Sequence, residues 1–436
     1  MSASQQELSR SLKSRHITMI ALGGAIGAGM FQGSSQSITL AGPSVVLAYA
    51  LGGLILLFVM RSLASLVVRN PRAGTFRELV EPVLGSWTGY FIGWIYWLVW
   101  VLVMAAEVTV SAMFLQHWFS NIPLWVLSLV VSALITLLNL FPVRWFGEAE
   151  SWLAGIKIAT LAIFVLLGGA LIFGAAGDHE AVGLQNLTSH GGFFPNGWNG
   201  LMSAMLVVIF SFGGMEIVGI TLGETQNPEK VIPRIALSVV FRVLVFYVLP
   251  ILVIVSLVPW NALAGGESPF VTVFRTVGIP YAADLMNFVM LTAVLSATNT
   301  GMYAASRMLF RQAADGKAPR AFARLSNRQV PVRALLLSTS FLYIGVIVAL
   351  FAKGNTFGYL MTFPGYGTLV VWMILLLASI CSRRQAGQSA SVMSLLSLLA
   401  LFVVLIGILV TAPLVGTVVT LAAMAMVAVS YRFTTR

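Results

Sequence analysis

Long unbroken runs of apolar residues alternate along the chain with short polar or proline-marked breaks, and the apolar positions inside the runs are too dense for a half-buried helix or strand. A run of about 20 such residues is what a helix needs to cross the hydrocarbon core of a bilayer. The breaks delimit spans near Ile17 to Leu40, Ser44 to Val67, Trp87 to Trp118, Leu124 to Phe141, Trp152 to Phe173 and Leu201 to Leu222. Further spans are predicted near Ile235 to Val258, Tyr281 to Phe310, Ala334 to Phe351, Phe357 to Cys381, Val392 to Val410 and Leu414 to Tyr431. The pattern therefore predicts an all-α integral membrane fold of about twelve helices, and an even count puts both termini on one side. The longest polar stretches, Ala175 to Asn199 and Pro259 to Pro280, read as loops, so the chain is a single membrane domain.

Composition agrees with a membrane as the main solvent. Of the 436 residues 58% are hydrophobic and 9% charged, whereas a soluble domain carries about a quarter charged residues. The net charge of +11 does not point to nucleic acid, because the basic residues lie in short strips between apolar runs. Arg10, Lys13 and Arg15, then Arg69, Arg72 and Arg77, Arg144, Lys230 and Arg234, Arg307 through Arg333, Arg383 and Arg384, and Arg432 and Arg436 fall on alternate connections. The opposite connections hold little beyond Arg275 and Lys353. By the positive-inside rule both termini are cytoplasmic. The basic segment Asp315 to Arg333 reads as a topology determinant lying against anionic headgroups. Cys381, the one cysteine, allows no intramolecular disulfide, and His16, His117, His179 and His190 lie at span ends or in loops. The polar start is followed by an apolar run too long and glycine-marked for a cleaved signal peptide, so the first span is retained.

Candidate chemistry lies where the spans break their own rules. The first span contains Gly23-Gly24-Ala25-Ile26-Gly27-Ala28-Gly29, and glycine is a poor helix former. A helix opening there would line a cavity with freed backbone groups; the same glycines at GxxxG spacing equally serve close helix packing. The sixth span carries a second interruption, Phe210-Ser211-Phe212-Gly213-Gly214-Met215-Glu216. Interruptions at corresponding places suggest two five-span repeats of inverted topology with a ligand held at the midplane. Open helix ends offer N–H groups to a carboxylate and carbonyls to an ammonium, the two poles of an amino acid.

Ionisable residues within spans cost roughly 2.5 to 3.5 kcal/mol each at a helix centre and demand a reason. Glu107, Lys157 and Glu216 stand out. Lys157 is either a buried amine that gains and loses a proton or a side chain snorkelling to the cytoplasmic interface. Glu107, deep in the third span, is expected to pair with a cation or polar group inside the bundle. Glu216 is placed to bond freed backbone of the first span or to gate the site, and a purely structural role serves equally. Trp87, Trp94, Trp97 and Trp100 form a helical stripe read as belt and packing residues. No span offers the continuous polar face of a channel, and no nucleophile, base or metal cluster indicates an enzyme.

Several stretches together resemble the amino-acid permeases of the amino acid/polyamine/organocation superfamily, within it the bacterial permeases for aromatic and other neutral amino acids. They are Arg15-His16-Ile17 running into GGAIGAGMF, GWIYWLVWVLVMAAEVT, FGEAESWLAGIK, GGFFPNGWNGL, FSFGGMEIVGI, SRMLF at Ser306 to Phe310, and DGKAP at Asp315 to Pro319. The resemblance covers about Arg10 to Arg384 and implies inverted repeats at 17–175 and 176–384, after a cytoplasmic segment 1–16 and before two peripheral helices and a short cytoplasmic tail at 385–436. It implies that a substrate carboxylate meets the N–H groups of Ala28 and Gly29. The ammonium would meet the carbonyls of Ala25, Phe210 and Gly213, with Ser211 beside them. Lys157 matches a lysine that stands where sodium-coupled relatives hold a cation, which favours protons as the coupling ion with no cofactor; Glu107 and Glu216 match acidic residues of the third and sixth spans.

The chain departs from the pattern at Ala28, where many relatives have a hydroxyl residue, and at Ala64 and Ser65, where many have glycine and glutamate. The last two spans lack the usual proline-containing lead-in, which bears on association rather than transport. The expected function is import of a neutral, aromatic or bulky apolar amino acid by proton symport across a bacterial inner membrane. An amino-acid exchanger on the same fold is the alternative.

Overall fold

The computed structural model describes residues 26–140, 146–175, 181–219, 228–263, 268–277, 281–326, 330–351 and 356–434. All regular structure among them is helical, and the helices are α1 (Ala28–Phe31), α2 (Gly33–Ala41), α3 (Val45–Arg69), α4 (Phe76–Leu84), α5 (Ser86–Gln116), α6 (Leu124–Asn139), α7 (Phe146–Ile172) and α8 (Gly197–Phe212). They continue as α9 (Pro228–Leu257), α10 (Pro269–Val277), α11 (Ala282–Ala314), α12 (Val332–Ser340), α13 (Leu342–Phe351), α14 (Thr356–Gln385), α15 (Val392–Thr411) and α16 (Leu414–Thr434). Among the described residues ten segments are long and apolar enough to cross a membrane, and α6 is a shorter apolar helix. One of the ten, Gly33–Arg69, joins the described part of the first predicted span to the second. The upstream part of the first span, including Gly23, Gly24 and Ala25, lies outside the described residues.

Burial sorts these helices into an inner and an outer set. The inner set is centred on α5 and α11, which pack along each other, with α14 against α5, α9 against α3, and α8 against α2 and α3. Their shared interior is filled by side chains such as Tyr49, Tyr96, Phe212, Tyr247 and Trp372, none more than 2% exposed. At the periphery α15 and α16 leave most of their apolar surface uncovered, with Val410 and Leu414 about three-quarters exposed. A continuous apolar exterior of this kind is what hydrocarbon contact requires.

Two short amphipathic helices depart from the span pattern. One is α4, between α3 and α5; its start is a capping box in which Thr75 Oγ1 accepts the Glu78 N–H at 3.3 Å while Glu78 accepts the Gly74 N–H at 2.9 Å. The other, α10, lies inside the stretch Pro259 to Pro280 that reads as a loop in sequence. The ninth predicted span is also interrupted, at Phe341. Thr339 and Ser340 there turn their hydroxyls back onto the Leu336 and Leu337 carbonyls, which weakens the helical ladder.

Candidate functional site

The break in the first span lies where α1 begins. Gly27 has an extended backbone (φ −139°, ψ −148°), so the next N–H groups have no helical acceptor behind them. The Ala28 N–H is met instead by Glu107, whose two carboxylate oxygens both lie at 3.0 Å. A carboxylate at the opening of a helix also lies at the favourable end of its dipole. Glu107 therefore pairs with exposed backbone.

Gly29 and Ser211 hold the two breaks together. A Cβ on Gly29 would lie 2.5 Å from the Ser211 Cα, so only glycine lets α1 approach α8 this closely. Ser211 Oγ lies 2.8 Å from the Gly29 carbonyl and 2.7 Å from that of Val207, and shares its one proton between them. The α8 helix ends immediately afterwards: the Gly213 N–H turns back to the Ile209 and Phe210 carbonyls at 3.0 Å, and Gly214 adopts φ 102°, open to a residue without Cβ. Tyr247 from α9 donates to the Ser211 carbonyl at 2.8 Å. Of the predicted site residues, Ser211 thus lies against Gly29, with Phe210 and Gly213 next to it in the chain, while Ala25 is outside the described residues. The space beside Gly213 is occupied: a Cβ there would meet the Phe210 carbonyl at 3.0 Å and Thr368 Oγ1 at 3.3 Å.

Lys157 is completely buried and does not snorkel; its Nζ donates to Ser296 Oγ on α11 at 2.9 Å. Glu216, equally buried, accepts from Tyr96 Oη at 3.1 Å, Trp372 Nε1 at 3.3 Å and the Gly214 N–H at 3.2 Å. Its described partners come from its own break and from α5 and α14. Arg307 lies within α11, 6% exposed, its guanidinium 3.6 Å above the Tyr303 ring. Its segment is therefore not wholly a cytoplasmic strip. The tryptophan stripe divides: Trp87 is exposed and stacks on Phe91, whereas Trp97 and Trp100 are buried.

Sequence reasoning missed Tyr96, Tyr247, Ser296 and Trp372. Each is an uncharged side chain in an apolar helix and becomes distinctive only when packing brings it to a charge or a broken end.

The amino acid permease family matches residues 16–435. The chain is 50% identical to the uncharacterized amino acid permease YvbW of Bacillus subtilis, over 99% of this chain and 98% of that protein. It is 42% identical to the gamma-aminobutyric acid permease of Bacillus subtilis, over 88% and 82% of the two chains. With the aromatic amino acid transport protein AroP of Escherichia coli it shares 39% identity, over 87% and 83%. These matches run through the apolar helices and both helix breaks, and the chain belongs to the amino acid permease family, whose members are membrane transporters and not enzymes.

Proposed function

We propose that this permease imports a neutral, aromatic or bulky apolar amino acid by proton symport and alternating access in the bacterial inner membrane, with both termini cytoplasmic. Protons are the coupling ion and no cofactor is needed. The observation that carries this reading is Glu107 on the Ala28 N–H, together with the full burial of Lys157. In the bound state the substrate carboxylate takes the N–H groups of Ala28 and Gly29, and its ammonium faces the carbonyls of Ala25, Phe210 and Gly213. Two carboxylates at one N–H repel strongly, so substrate and proton arrive together and the proton neutralises one member of the Glu107, Lys157 and substrate set. Phe210, with Phe357 edge-on at a centroid distance of 5.6 Å, supplies an apolar wall. The placing of α4 and α10, each between the second and third spans of its half, supports the repeats at 17–175 and 176–384. Glu216, joining the second break to α5 and α14, serves in gating.

The test is uptake of radiolabelled phenylalanine into proteoliposomes under an inward proton gradient, competed by excess of each amino acid and by γ-aminobutyrate. Accumulation that vanishes with the gradient, and that Lys157→Ala abolishes, is expected. Uptake only into preloaded vesicles would instead establish an exchanger, and full gradient-driven accumulation by Lys157→Ala would remove the coupling role.

A further inference from the structure

The outward face of α3 carries a charge. Leu54, Arg61 and Val68 are spaced by seven residues, so they share one side of the helix, and all three are exposed, Leu54 and Val68 by about half. Arg61 lies eight residues, about 12 Å, inside the end of α3 at Arg69. A guanidinium at that depth, flanked along the helix by aliphatic side chains, is costly unless it is paired or solvated. Among the described residues it makes no hydrogen bond or ion pair; its contact is with the Phe58 ring, 5.9 Å from Cζ to the centroid. An aromatic face holds the cation but leaves its five N–H donors without an acceptor.

The helix α9 packs along α3 and brings more positive charge to the same place. Tyr49 stacks on Tyr247 at 5.9 Å, and a Cβ on Gly53 would meet the Leu244 side chain, so the two helices run antiparallel. Eight residues further along α3, that register sets Arg61 level with Ala236 and next to Arg234 and Leu237. Leu237 and Phe241 precede Leu244 by seven and three residues, on the edge of α9 that meets α3, and both are exposed. Arg234 and Lys230 continue the same edge toward the start of α9 and are exposed as well. Ala236 and Tyr247, on the inner edge, are buried, and Glu229 of the first turn falls on that inner edge, five helical turns from Tyr247.

We propose that the outward groove between α3 and α9 binds the phosphate of an anionic phospholipid. The leaflet is the one where α3 ends and α9 begins, which is cytoplasmic in the orientation proposed above. The planar fork of Arg61 matches two phosphate oxygens and supplies the acceptors its donors lack. Arg234 and Lys230 add the positive field that favours a net negative headgroup over a zwitterionic one. Leu54, Leu237 and Phe241, deeper in the groove or beside it, lie against the acyl chains.

The test titrates short-chain phosphatidylglycerol or phosphatidylcholine onto purified full-length protein in neutral detergent, with native mass spectrometry reading the fraction of protein that carries lipid. Wild type is expected to take up phosphatidylglycerol in preference to phosphatidylcholine. Arg61→Gln should weaken phosphatidylglycerol binding by about tenfold or more, the loss of one charge-assisted hydrogen-bonding partner, and Arg234→Gln by about fivefold. Arg234→Gln, at an exposed position near the start of its helix, carries the test should Arg61→Gln not fold. Arg432→Gln on α16, which packs on α5 and α14, removes the same charge elsewhere and is expected to bind as wild type. Equal binding of the two lipids by wild type, or undiminished binding by Arg61→Gln and Arg234→Gln, would overturn the site. So would an equal loss in Arg432→Gln, which would mean a response to net charge. Displacement of the lipid by excess inorganic phosphate would assign the groove to a soluble anion and overturn the lipid. None of these readings involves transport, so the result is independent of the symport reading.

Discussion

Single atoms decide the contact between the two broken helices. At Gly29 an added methyl would meet the Ser211 backbone, which cannot rotate away, and α1 would have to leave α8. Gly29→Ala is therefore expected to destabilise the protein by about 1 to 3 kcal/mol, as overpacking does, and to abolish uptake. Gly155 is the internal control: it lies exposed on α7 with nothing within 4 Å of an added Cβ. Gly155→Ala is expected to be neutral or to stabilise by about 0.5 to 1 kcal/mol. Thermal melts of the two variants in detergent check both, and a Gly29→Ala protein as stable and active as wild type would refute the contact. At this scale the charged residues were legible in the sequence, since a charge in an apolar run is conspicuous. Their partners were not, because Ala28 and Ser296 carry no such mark and are separated from Glu107 and Lys157 by 79 and 139 residues.

Among the elements, α4 shows how a short helix escapes a hydropathy reading. Nine residues with Arg77, Glu78 and Glu81 among them cannot register as a span, although Thr75 and Glu78 spell out a capping box. Its role is set by contact: Arg77 reaches Glu81 at 3.3 Å on its own helix and Asp315 beyond α11 at 2.8 Å. Because burial outweighs Arg77 in raising the Asp315 pKa, the folded protein binds this proton more tightly than the unfolded chain. The associated stability is present below the ordinary value of 3.8 and is lost as pH rises through the raised native value. Melting curves across the acid range should show this decline in wild type, and Asp315→Asn should lack it. Identical pH profiles would mean that Asp315 is not perturbed. The interruption of the ninth span at Phe341 was hidden for a related reason: Ser338, Thr339 and Ser340 carry no charge and are too few to end a span in a hydropathy reading, yet the Thr339 and Ser340 hydroxyls bond to carbonyls at the interruption.

On the scale of the whole molecule, the proposed orientation rests on charge outside the membrane. Alkaline phosphatase fused after Asn121 is expected to be active and the same fusion after Arg384 inactive, with a C-terminal green fluorescent protein bright in cells. Activity after Arg384 would invert the assignment. The sequence by itself determined the membrane class, the approximate limits of most spans, and Glu107, Lys157 and Glu216 as charges within them, because transfer of a helix into hydrocarbon depends on composition summed over about 20 residues. It also marked both breaks, since clustered glycine weakens a helix wherever it sits. Only the tertiary structure decided which helices are interior, that Glu107 rests on the Ala28 N–H, that Lys157 turns inward to Ser296, and that Tyr96 and Trp372 close around Glu216. Those pairings join residues far apart in the chain, and close packing selects them through shape at the contact, which no local pattern of hydrophobic and polar positions encodes.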